Sequence, residues 1–186
     1  MKMSQSISTS NRLAWGAKVS GEFSRAAVGV ARRIGVPPSD LMACMAWESG
    51  ETFSPSIRNG AGSGATGLIQ FMPQTAASLG TTTDKLAAMT AVQQLVYVER
   101  YFKPWRGKLR DLGDLYMAIL WPAGIGKPMD HILFRRDDPH RPKLYLQNKG
   151  LDIDRDGDVD KAECCTKVLD KRSKGLRPGY FLDLPE

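Results

Sequence analysis

Apolar residues in this chain recur every three or four positions and never in a sustained two-residue alternation, which commits it to helices rather than sheet. Between Gly21 and Ile34, the residues Phe23, Ala26, Ala27, Val30 and Ile34 trace one face, with Ser20 placed to cap the start and Gly35 to stop the end. Pro37-Pro38-Ser39-Asp40 signals a second start, and the run from Leu41 to Trp47 carries that helix to an end near Glu48-Ser49-Gly50. A short helix is predicted from Pro73 to Leu79, with Gly80 after its end. Thr90 can cap a longer one, Ala91 to Lys103, with a broad apolar face and Pro104 at its end. Asp111 to Trp121 is a further candidate, interrupted at Pro122. The expected fold class is all-α, with six to eight helices.

The 186 residues, 42% of them hydrophobic, suffice for one ordinary core. Residues 1–17, rich in serine, read as a flexible N-terminal arm, 18–149 as the helical body, and 150–186 as an appended module of acidic loop, helix and basic tail. The stretch 123–150, rich in Gly, Pro, Arg, Lys and His, reads as a long surface loop. Nothing approaches the roughly 20 apolar residues of a membrane span, and residues 1–10 lack the apolar stretch of a secretory signal. Synthesis in the cytoplasm is expected, with any target outside reached by another route. The odd cysteine count, Cys44 with the vicinal pair Cys164-Cys165, argues against a disulfide framework. Cys44 reads as a core residue. Only His131 and His140 are available as bases, which argues against a cysteine–histidine dyad.

Net charge is +6, unevenly spread: residues 152–163 hold six acids and two bases, a local −4 that leaves +10 on the remainder. A basic body suits an anionic partner, whether nucleic acid, membrane headgroups or a carboxylate-bearing wall polymer. Nucleic acid is disfavoured, because the cluster Arg135, Arg136, Arg141 and Lys143 has no interleaved aromatics and no binding motif. The tail bases Lys167, Lys171, Arg172, Lys174 and Arg177, with Tyr180 and Phe181, suit anionic outer-membrane lipid or wall polymer, or simply a solvated face. A monomer is expected.

Glu48 carries the sharpest chemistry. Packing against Trp47 and the preceding apolar turn disfavours its anion, which suits a general acid near neutral pH. The plainer alternative, an exposed carboxylate, is unfavourable at the negative end of a helix dipole. The loop that follows, Asn59 to Gly67, permits close backbone approach to a ligand and leads into Leu68-Ile69-Gln70.

The pair Glu48-Ser49 and the segment Gly67-Leu68-Ile69-Gln70-Phe71-Met72-Pro73 resemble the lytic transglycosylases of the soluble, goose-type lysozyme-like fold, over roughly Phe23 to Gly126. The resemblance implies an SLT-type enzyme acting on peptidoglycan glycan strands at the β-1,4 bond between N-acetylmuramic acid and N-acetylglucosamine. Glu48 is then the catalytic residue, acting as acid and then as base, with no cofactor in the reaction. Ser49, Gln70 and Met72 are implied as substrate-binding, with Gln70 and Met72 lining the groove. The family's later Ala-Tyr-Asn segment corresponds here to Ala118-Ile119-Leu120-Trp121-Pro122, so its tyrosine is replaced. Trp121 can stack on a sugar face, and Tyr116 or Tyr97 could supply the missing hydroxyl. Plain hydrolysis would need a second carboxylate, for which Glu51, Asp84 and Glu99 are available. Size, basic body and the missing signal look like a bacteriophage endolysin or virion-associated muralytic enzyme. A non-catalytic, calcium-stabilised wall-binding or virion structural protein is the alternative.

The acidic segment fits the calcium-loop pattern of EF-hands: Asp152, Asp154, Asp156, Asp158, Asp160 and Glu163 stand at positions one, three, five, seven, nine and twelve, with Gly157 at six. These six are the expected ligands of a structural Ca2+, with the Asp158 carbonyl added. A solvated acidic turn is the plainer alternative.

Overall fold

The computed structural model describes residues 11–60 and 62–185. Its elements in chain order are β1 (Arg12–Leu13), α1 (Gly21–Ile34), α2 (Pro38–Glu48), α3 (Pro73–Ser78), α4 (Thr83–Ala87), α5 (Ala91–Phe102), α6 (Leu112–Leu120), β2 (Ile132–Arg135), α7 (Pro142–Asn148), β3 (Asp158–Asp160), α8 (Lys161–Gly175) and β4 (Leu182–Asp183). The fold is mainly helical, as the periodicity predicts. Helix starts follow side-chain chemistry: Ser20 Oγ accepts from Phe23 N (3.1 Å), Thr90 and Gln93 form a reciprocal capping box, and Asp111 Oδ1 accepts from Asp114 N (2.8 Å). Each such cap contributes about 1 kcal/mol.

Helix α2 is apolar on nearly every side, and a helix of that kind must be enclosed. Its residues Ser39 to Ala46 are all buried, with α1, α6 and α8 packed around it. Glu48, in its last turn, is therefore fixed by the centre of the molecule. The second large pairing, α1 on α5, closes the other side of the core.

Three boundaries differ from the sequence expectation. The arm expected over 1–17 is built into the core from its described part onward: Leu13, Ala14 and Trp15 are buried, and β1 pairs with β4 in the register Leu13↔Leu182. Trp15 donates its indole N–H to Lys171 O (2.8 Å) and meets Tyr180 edge-on at 5.2 Å. A Cβ at Gly175 would collide with that indole, so only glycine lets α8 lie so close. Residues 1–10 lie outside the described residues.

The segment 150–186 is not an appended module. Cys164, Cys165 and Val168 of α8 belong to the same buried cluster as Met42 and Met45 of α2. Lys161 opens α8 fully buried, its ammonium donating to Asp114 Oδ1 (2.6 Å) and Lys127 O (2.9 Å). Three more donors, Arg110 Nε (3.1 Å), Arg110 N (3.2 Å) and Gly126 N (2.8 Å), reach the same carboxylate. Burial alone would raise the Asp114 pKa, but these hydrogen bonds outweigh it and hold it at about 2.

The stretch read as a surface loop, 123–150, also carries structure. β2 pairs antiparallel with β3, Ile132 opposite Asp160 and Phe134 opposite Val159, and α7 leads into the acidic loop. Its arginines are engaged locally, Arg135 near Asp137 and Asp158, Arg136 near Asp152, and Arg141 with Asp138. The tail bases are similarly committed: Lys171 and Lys174 both hold Glu51, and Arg172 pairs with Asp40 at 2.6 Å. Those three are structural ties. All three cysteine thiols are free and buried, and burial pushes Cys164 and Cys165 up to about 12. Among the described residues, no helix is long and apolar enough to cross a membrane.

Candidate active site

A groove of about 380 Å³ opens where α2 ends, lined by Trp47, Glu48, Ile57, Arg58, Asn59, Gln70, Tyr116 and Leu120. Burial raises Glu48 from 4.5 to about 7, and no charged neighbour contributes to the shift. Half of such carboxyls carry a proton at neutral pH, ready for donation. Two phenols stand close enough to feel the Glu48 charge: Tyr101, whose hydroxyl donates to Ala118 O (2.5 Å), and Tyr116, whose hydroxyl accepts from Trp47 Nε1 (3.0 Å). Burial raises both pKa values, so each phenol remains a neutral donor or acceptor.

The glycine-rich loop forms the facing wall and is knit to itself by isolated bridges, Arg58 to Thr66 and Thr66 to Phe71. It is pinned from beneath by Gln94 of α5, a wholly buried amide that the sequence reading passed over. Gln94 Oε1 accepts from Leu68 N (2.7 Å), while Nε2 donates to Pro55 O (3.0 Å) and Leu86 O (2.9 Å). Gly67 has φ +83°, and a Cβ there would collide with the Gln94 amide. A polar residue set between Ala91 and Val98 on the apolar side of α5 was the available signal.

Of the expected substrate-binding residues, Gln70 and Tyr116 reach the groove. Gln70 sits at φ 51° and donates from Nε2 to Gly67 O (3.1 Å), so its amide also braces the loop. Ser49 does not face substrate: it is fully buried, its Oγ donating to Met45 O (2.6 Å) and accepting from Phe53 N (3.0 Å). Its task is to turn the chain after Glu48. Met72 stands exposed before α3, outside the lining residues. Trp121 packs edge-on against Phe134 at 5.2 Å, supporting β2 rather than stacking in the groove. Tyr97 lies against Arg100 and is likewise not a lining residue. A phenolic hydroxyl does line the groove five residues earlier, at Tyr116.

The candidate second carboxylates are all engaged in ion pairs, Glu51 with Lys171 and Lys174, Asp84 with Arg58, and Glu99 with Arg33. Among the described lining residues, Glu48 is the one carboxyl.

A single half-buried acid opposite a glycine-rich wall invites comparison with glycan-cleaving families. Residues 27–97 match the Transglycosylase SLT domain. The match runs from α1 through the Glu48 turn and glycine-rich loop into α5, and it supports an SLT-type lytic transglycosylase acting on peptidoglycan. The SLT region and the helical architecture together fit a lysozyme-like fold. No curated protein and no solved structure shows significant similarity to the chain.

The acidic loop lies outside the SLT match. It brings Asp152, Asp154 and Asp156 together, with carboxylate oxygens within 4.8 Å of one another. Asp152 Oδ2 accepts from Tyr145 Oη (2.6 Å) and Gly157 N (3.2 Å), whereas Oδ1 is buried with no hydrogen-bond partner among the described residues. Three clustered carboxylates, with one buried oxygen of Asp152 unsatisfied, fit a hard divalent cation. The other three expected ligands are placed differently. Asp160 and Glu163 form a reciprocal capping box on α8, and Asp158 lies 3.6 Å from Arg135.

Proposed function

We propose that the protein cleaves the β-1,4 bond between N-acetylmuramic acid and N-acetylglucosamine with Glu48 as sole acid–base residue. Glu48 gives its proton to the leaving glycosidic oxygen while positive charge develops at the sugar C1. The resulting carboxylate then accepts the C6 hydroxyl proton as that oxygen closes on C1. The product is a 1,6-anhydro sugar, no water is consumed, and the acid is regenerated. One carboxyl suffices for this cycle, and the observation that carries the reading is Glu48 raised to about 7 in a groove with no second carboxyl among its described lining residues. Gln70 and Tyr116 offer the polar contacts for acetamide and hydroxyl groups. The basic body, +10 outside the acidic loop, suits an enzyme delivered onto an anionic wall, as a phage lysin is.

Glu48→Gln tests the assignment. It should reduce turbidity loss on purified cell walls at least about a hundredfold with the fold retained. Activity within a few-fold of the parent would overturn the assignment and favour a wall-binding protein. Mass spectrometry of the digest separates the chemistries, because an anhydro end is one water lighter than a reducing end.

The same reading includes a Ca2+ on the acidic loop, held by Asp152, Asp154 and Asp156. The support is the clustered carboxylates and the unsatisfied Asp152 Oδ1. Its task is to neutralise the loop that leads into α8, with no part in the reaction.

A further inference from the structure

The groove contains one cation among its described lining residues, Arg58. The bridge to Thr66 fixes its backbone, and its guanidinium is half-exposed, Nη1 donating to Thr66 Oγ1 (3.5 Å) and Nη2 to Asp84 Oδ1 (2.5 Å). Those contacts use two of five N–H donors. Asp84 is itself 86% exposed, so the pair is a surface ion pair that an arriving anion can replace at little cost.

Arg58 has no task toward the acid. Burial alone accounts for the state of Glu48, and a guanidinium in contact with it would pull its pKa down. Nor is a cation needed to bind neutral sugars, whose hydroxyl and acetamide groups are satisfied by residues such as Gln70 and Tyr116. What separates peptidoglycan from a neutral polymer of N-acetylglucosamine is its carboxylates, on the lactyl ether of every second sugar and on the peptide attached there. A planar, permanently charged fork is the side chain best matched to that group.

We propose that Arg58 is the specificity-determining residue of the groove, reading a carboxylate carried by the muramic side of the glycan. The proposal rests on the groove being a peptidoglycan site. It names the feature of the polymer that the groove selects.

The test uses the full chain carrying Glu48→Gln, so that ligand survives, and soluble glycan fragments in three forms: with stem peptides, stripped of peptide to leave the lactyl carboxylate, and amidated at all carboxylates. Calorimetry should show at least one carboxylate form binding roughly tenfold tighter than the amidated form. Adding Arg58→Gln should collapse that ratio to about one, and Arg58→Lys should retain part of it. Preference for stripped fragments assigns the contact to the lactyl group, and preference confined to peptide-bearing fragments assigns it to the stem. A ratio that survives Arg58→Gln overturns the proposal, as does equal binding of all three forms by the Arg58 protein. Turnover of intact sacculi by the parent enzyme reads the underlying activity separately, so failure of that activity is distinguishable from failure of Arg58 as the reader.

Discussion

At neutral pH a carboxyl raised from 4.5 to about 7 is half protonated, and the proton has consequences beyond catalysis. Between those two values the folded protein holds a proton that the unfolded chain has released. Glu48 therefore contributes most to the folded state below about pH 4.5, and that contribution declines as pH rises until the carboxyl is ionised above about 7. The total loss is about 3 kcal/mol. Glu48→Gln removes the half-buried charge, so by urea denaturation the variant should exceed the parent by up to about 3 kcal/mol at pH 8 and match it near pH 4.5. Equal stability at both pH values would mean that the carboxylate is well hydrated. Activity follows the same proton: kcat/KM should fall about tenfold per pH unit above 7, because the donor must be protonated.

Elements show what the sequence could and could not reveal. Caps and periodicity placed α1, α2, α5 and α6 within a few residues, because signals such as Ser20 and Thr90 act on their own helices through local hydrogen bonds. Glu48 was legible for the same reason, as the end of an apolar run. Ser49 and Trp121 were misread because their partners, Phe53 and Phe134, are set by chain reversal and strand packing, which local patterns do not encode. Gln94 was missed because a glutamine within an amphipathic helix usually faces water, whereas here it reaches three backbone groups on other segments. Truncating it leaves Leu68 N–H and Pro55 C=O without this partner, while Leu86 C=O keeps only Met89 N. Gln94→Ala should therefore cost about 2–4 kcal/mol in chemical denaturation, more than a surface change on α5. Because Leu68 precedes Gln70, the same variant should also raise KM on solubilised glycan strands. An unchanged KM would show that the loop keeps its shape without the buried amide.

Across the whole molecule, α8 joins parts of the chain that the sequence appeared to separate. Its first residue is buried against Asp114 of α6, its middle packs on α2, and Lys171 and Lys174 hold Glu51, three residues after the acid. Breaking the buried pair with Lys161→Ala leaves Asp114 to Arg110 and Gly126 alone and should cost about 1–3 kcal/mol in chemical denaturation. The acidic loop feeds directly into this helix: Glu163 accepts from the backbone of Ile153 and Asp160, tying the loop's start to the first turn of α8. An ion held by Asp152, Asp154 and Asp156 would therefore act on the shared core rather than on a separate module. Calcium at a hundred times its Kd should contribute about 2.7 kcal/mol, raising the melting temperature of the entire protein by a few degrees in one cooperative transition. Chelator should reverse the rise, and Asp152→Asn should remove the response to calcium. Two resolved transitions, of which calcium shifts only the weaker, would show that the loop and α8 unfold apart from the body. An identical melt with calcium and with chelator would leave the unsatisfied Asp152 oxygen without an ion to explain it.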